Sequence, residues 1–142
     1  TKLCLKIANS LYCKIFKFLV PTKDMRTAET AKLFENVYRS INIGLVNEMK
    51  KICYKMKINI HEIINAASTK PFGFHKFVPG PGLGGHCIPI DPFYLSWKAK
   101  KYGIDTQFIN LAGKINRSMP AWVIGRISGF FKNNTGSFAD LN

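Results

Sequence analysis

"AETAKLFENVYRSINIGLVNEMKKICYKM", residues 28–56, is the stretch on which the fold turns. Within it Leu33, Val37, Ile41, Leu45, Met49, Ile52 and Met56 recur at steps of three and four. That spacing sets apolar side chains in one stripe along an α-helix. The stripe runs for about seven turns and predicts a helix near residues 27–56, well beyond the roughly three turns of an average helix. A helix of this length serves as a spine or an interface. Thr27 is the expected N-cap, with Glu29 in the positive first turn. Lys32 and Asn36 lie four apart on a face away from Leu33, Val37 and Ile41. Taken alone, they read as an exposed Lys and Asn.

Ahead of the spine, "KIFKFLVPTK" (14–23) reads as a helix end followed by one strand, residues 16–20, stopped by Pro21. Behind it, Asn59 with Glu62 three residues on forms a capping-box pattern for a short second helix that should end before Pro71. Residues 70–90 then hold four prolines (71, 79, 81, 89) and five glycines (73, 80, 82, 84, 85), a loop of imposed shape. Asp91 and Pro92 read as N-cap and first residue of a third helix, with Gly103 past its end. Asp105 is expected to cap a fourth, which Ser118 and Pro120 restart or bend. The fold class is therefore mainly α: a helical domain around a long spine helix, with one edge strand.

Composition sets the outer bounds. A chain of 142 residues with 46% hydrophobic content can bury a core. No run reaches the roughly 18 apolar residues of a membrane span, so no membrane partner is expected. Neither end has the look of a natural terminus, and the chain is expected to be part of a longer polypeptide. The net charge of +13 raises the question of nucleic acid. The lysines are scattered, however, and the cluster Lys50, Lys51, Lys55 and Lys57 falls late in the spine, where a solvated face near the negative helix end explains it. No aromatic–basic motif supports RNA binding. A positive field favouring an anionic small molecule is the alternative.

Four cysteines, at 4, 13, 53 and 87, lack the spacing of zinc or redox sites, and the histidines at 61, 75 and 86 form no ligand pattern, so no metal is expected. Cys4, Cys13 and Cys53 read as small buried hydrophobes. The unpaired set suits a reducing compartment, and a cytoplasmic location is expected. Cys87 differs. It closes the loop "GPGLGGHC" just ahead of a predicted helix N-terminus, whose partial positive charge favours a thiolate. The glycines permit close backbone approach to a ligand, with amides turned inward as in an anion nest. The loop does not follow the G-x-G-x-x-G spacing of a dinucleotide turn. A rigid turn carrying an inert cysteine is the competing reading.

Together, "AETAKLFENVYRSINIGLVNE", "KPFGF", "PGPGLGGHCIPIDPFYLSWKA" and "INRSMP" resemble the UDP-glucose/GDP-mannose dehydrogenase family, most of all its UDP-N-acetylhexosamine 6-dehydrogenases. The resemblance spans residues 8 to 127. It implies a three-part enzyme of which this chain is the centre: residues 1–25 the end of an NAD-binding Rossmann domain, 26–128 a helical catalytic and dimerisation domain, and 129–142 the start of a linker to a UDP-binding domain. It implies NAD as cofactor, held mainly by the N-terminal domain, a UDP-sugar as substrate, and a homodimer through the long helix. Cys87 stands where the family keeps its nucleophile, Lys32 and Asn36 where it keeps donors to the C6 oxygen, and Asp91 where a carboxylate orients water. Phe77, Gly80, Gly82, Gly84 and Gly85 fall where the loop meets the sugar, and Lys70 near where a cation reaches the partner subunit's substrate. Within the same resemblance, a non-catalytic helical dimerisation module is the alternative function.

Overall fold

The computed structural model describes residues 1–134, the side chain of Asn134 excepted, and divides them into two compact units at Lys32/Leu33. In the first unit, helix α1 (Lys2–Tyr12) is capped by Thr1, whose side chain accepts the amide of Cys4. None of its residues is buried, and Cys4 and Cys13 are exposed, contrary to the expectation that they pack as small hydrophobes. Residues 16–20 carry no ladder, so the expected edge strand is absent, as are all others among the described residues. A strand exists only by hydrogen bonding to a neighbour, and this segment has none to pair with.

Helix α2 (Met25–Met56) begins two residues before its expected start. The cap is Asp24, whose Oδ1 accepts the backbone N–H of Thr27 at 2.8 Å and its hydroxyl at 3.1 Å. Thr27, the expected cap, is thus held by the true one. The helix ends where Lys57 turns left-handed (φ 58°) and Ile58 N–H reaches back to the Cys53 carbonyl at 2.9 Å.

The second unit comprises α2 from Leu33 on, α3 (Ile60–Ala67), the Pro/Gly loop, α4 (Asp91–Lys100) and α5 (Gln107–Asn134). Asn59 caps α3 by accepting the His61 amide, and its Nδ2 donates to Glu62, a side-chain version of the expected reciprocal cap. Cys53, Ile60 and Ile64 close the join between α2 and α3, with Met49 against them. Gly103, at φ 73°, follows α4 as expected. Thr106, rather than Asp105, takes the cap position of α5, its carbonyl accepting the Asn110 amide. Asp105 instead receives the Asn110 side chain. Helix α5 runs on through Pro120 without restarting, although Pro120 cannot bond the Asn116 carbonyl.

The α2 face that packs is not the apolar stripe as read. Asn36, Val37, Ser40, Gly44, Asn47 and Cys53 are buried, whereas Leu45, Ile52 and Met56 are exposed. At Gly44 the reason is visible: a methyl group there would stand 3.3 Å from the Ala112 backbone, so small residues set the approach of α2 to α5. Met119, from α5, is buried almost completely.

Candidate active site

Asn36, expected on an exposed face, is only 2% exposed. Its Nδ2 donates to Oδ2 of Asp91 at 2.8 Å, joining the spine to the helix that follows the cysteine loop. Its Oδ1 accepts Nη1 of Arg39 at 3.2 Å, and Arg39 also donates to Glu35 at 3.1 Å. A guanidinium can only donate and an ionised carboxylate can only accept, so the two neighbours leave one orientation for the amide between them. Asp91 is the first residue of α4 and not its cap; the cap position falls to Ile90, which makes no side-chain cap bond, and the Asp91 carboxylate accepts from Asn36.

Cys87 precedes this junction and is exposed. Its carbonyl accepts the amides of Ile90 at 3.0 Å and Asp91 at 2.8 Å, so the residue is tied by its backbone to the first turn of α4. Its side chain is left on the surface, beside a helix N-terminus. Upstream, Gly84 (φ 67°) and Gly85 (φ 74°) take left-handed conformations in succession, which side chains other than glycine rarely tolerate. A Cβ at either would meet nothing within 4 Å, so glycine is needed for the turn and not for want of room. Gly82 likewise faces open space. No strand precedes this loop among the described residues, and the loop does not fit a dinucleotide phosphate turn.

Gly80 is anchored. Its N–H donates to Oδ1 of Asn47 at 2.9 Å, while Asn47 Nδ2 donates to Asn116 Oδ1 at 2.9 Å and Asn116 Nδ2 donates to the Ser40 carbonyl at 2.9 Å. Phe77 is half-buried, with its ring edge-on to Tyr38 at 5.9 Å; Tyr38 also hydrogen-bonds His75. Lys70 lies exposed in the turn after α3. Lys32 stands one turn before Asn36 on α2, in the first compact unit.

Arg39, Asn47 and Asn116 escaped the sequence reading. One signal was present: asparagine is a poor helix former, yet Asn36, Asn47 and Asn116 all sit inside long helices. An asparagine kept in a helix interior asks for a partner. No buried side-chain polar atom among the described residues lacks one.

Residues 26–118 match the family model described as "UDP-glucose/GDP-mannose dehydrogenase family, central domain". The chain is similar to the UDP-N-acetyl-D-mannosamine dehydrogenase of Methanocaldococcus jannaschii, at 37% identity over 94% of this chain and 30% of that protein. It is similar also to the NDP-N-acetyl-D-galactosaminuronic acid dehydrogenase of Ralstonia solanacearum, at 35% identity over 89% of this chain and 29% of that protein. Among solved structures it resembles the native UDP-N-acetyl-mannosamine dehydrogenase of Staphylococcus aureus, with a TM-score of 0.75 and 35% identity over 96% of this chain and 30% of that one. The chain thus spans about three-tenths of the length of the relatives it matches.

Proposed function

The chain belongs to the UDP-glucose/GDP-mannose dehydrogenase family, and from that premise we propose that it forms the centre of an NAD-dependent nucleotide-sugar 6-dehydrogenase acting on a UDP-N-acetylhexosamine. Residues 1–25 then end a dinucleotide-binding domain, 26–128 form the central domain, and 129–142, which lie partly outside the described residues, begin a linker. The exposed apolar residues of the first unit, among them Leu3, Ile7, Phe18 and Val20, suit a segment made to pack against a larger body. The observation that carries the reading is the Asn36–Asp91 hydrogen bond, which unites two motif segments 55 residues apart.

In this reading the C6 alcohol is first oxidised to an aldehyde, its oxygen steadied by donors from Lys32 and Asn36. The Cys87 thiolate adds to the aldehyde carbon, a C–S bond forms, and the oxygen takes a proton to give a thiohemiacetal. A second loss of hydride, with the hydroxyl proton, leaves a thioester. Water oriented by Asp91 then breaks the C–S bond and releases the acid and the thiolate. NAD, if held by residues outside this chain, would supply the hydride acceptor for both oxidations. The exposed Cys87 and the unhindered glycines 82, 84 and 85 support an approach of the sugar along the loop. Phe77, Gly80 and, from a partner subunit's side, Lys70 complete the proposed contacts.

Cys87→Ser in the intact protein tests this. With UDP-N-acetylmannosamine and NAD supplied, conversion to the acid should stop while sugar-nucleotide binding, read by calorimetry, stays near wild type. Normal acid formation by this variant would leave the loop a structural turn and remove the mechanism.

A further inference from the structure

Asn36 and Asn47 are eleven residues apart on α2. Eleven residues make about three turns plus some 20°, so the two asparagines share one face and stand about 16 Å apart along the axis. Each grips one end of the same segment: Asn47 holds the Gly80 amide and Asn36 holds the Asp91 carboxylate. The eleven residue steps from Gly80 to Asp91 could extend about 37 Å. The segment's two anchors on α2 stand less than half that far apart, so it does not run straight between them, and Cys87 within it is exposed. Its position therefore depends on where both ends are fixed.

The Asn36 end is oriented by Arg39. The Asn47 end is oriented by Asn116, and here the hydrogen bonds all run one way, from the Gly80 N–H through two amides to the Ser40 carbonyl. Asn47 is 0% exposed and Asn116 2% exposed, so water is not available to substitute for either bond. Turning either amide over would set donor against donor and acceptor against acceptor. A core that needed only volume at these sites would be as well filled by leucine.

We propose that Asn47 and Asn116 are positioning residues, forming with Asn36 a two-point clamp that holds the cysteine loop in register on α2 and α5 and so sets where Cys87 meets its substrate. The catalytic part of this statement rests on the proposed function; the clamp itself does not.

The test uses the intact protein and the Asn47→Leu/Asn116→Leu double variant, in which the two buried amides are removed together so that neither faces an unpaired partner, and the half-buried Gly80 N–H loses its acceptor. Helix content should persist. The Gly80 amide should exchange at least tenfold faster, and the alkylation rate of Cys87 by iodoacetamide should change severalfold while those of Cys4 and Cys13 hold. With a UDP-sugar and NAD, kcat should fall by about 10² with little change in KM, the effect of misplacing a reacting group by about an ångström. Gly80→Pro is the second variant, for the case in which the double variant fails to fold. It deletes the N–H outside the helices, at a glycine that is not left-handed, and should shift the Cys87 alkylation rate while those of the exposed Cys4 and Cys13 hold. A folded double variant with unchanged Gly80 exchange and Cys87 reactivity would overturn the clamp, as would an unmoved Cys87 rate in Gly80→Pro. Altered exchange and reactivity in a protein that turns over no nucleotide sugar would uphold the clamp and remove the proposed function instead.

Discussion

Gly113 shows how tightly single residues are specified where α4 meets α5. A Cβ built there would fall 2.4 Å from Cζ of Phe93, whose ring also lies under the Arg117 guanidinium at 4.9 Å. Gly113→Ala should therefore destabilise the protein by about 1–3 kcal/mol despite alanine's better helix propensity, because the ring must leave its place. Thermal unfolding would measure it. Adding Phe93→Leu should recover part of the loss, and strict additivity in that double-mutant cycle would mean the two residues do not compete for space. Asn36 makes the complementary point. It is defined less by its own chemistry than by a donor-only neighbour on one side and an acceptor-only neighbour on the other.

At the scale of elements, α2 carries two different surfaces. Its interior face is small and polar and packs by close approach and directed hydrogen bonds. Its outer face keeps Leu45, Ile52 and Met56 exposed. The helix also stops with some strain, since Lys57 occupies the left-handed position usually given to glycine. Lys57→Gly should stabilise the protein by about 1 kcal/mol, the approximate cost of holding a side chain in that conformation. A lower unfolding midpoint in denaturant for this variant would show that the lysine side chain contributes more than its backbone costs. At the α4 N-terminus, Asp91 stands one position inside its helix and accepts a hydrogen bond from Asn36 of another.

At the scale of the whole molecule, the exposed residues of α2 ask what covers them. We expect a homodimer in which part of this helix pairs with a second copy, since burying Leu45 and Ile52 would contribute roughly 25 cal/mol for each Å² removed from water. Sedimentation of the intact protein should give a dimer, and Leu45→Glu with Ile52→Glu should move it toward monomer. An unshifted distribution would take the pairing off this face. No helix among the described residues is long and apolar enough to cross a membrane.

The chain's local pattern was enough to read the starts of the four helices from α2 on and the Pro/Gly loop that carries Cys87. Those features depend on groups within about four residues of one another: the apolar repeat of α2, the Asn59 cap, Pro92 at the start of α4 and Gly103 beyond its end. The motifs also made the family legible, because the helix segment and the cysteine loop follow in order. Tertiary structure alone decided which face of α2 is buried, that Asn36 is inside, that Asp91 binds Asn36 and does not cap, and that Asn47 and Asn116 hold the loop. The partners in those bonds lie 55, 33 and 69 residues away along the chain. The strand expected at residues 16–20 failed for the same reason: a helix satisfies its backbone locally, while a strand needs a neighbour that local sequence cannot supply.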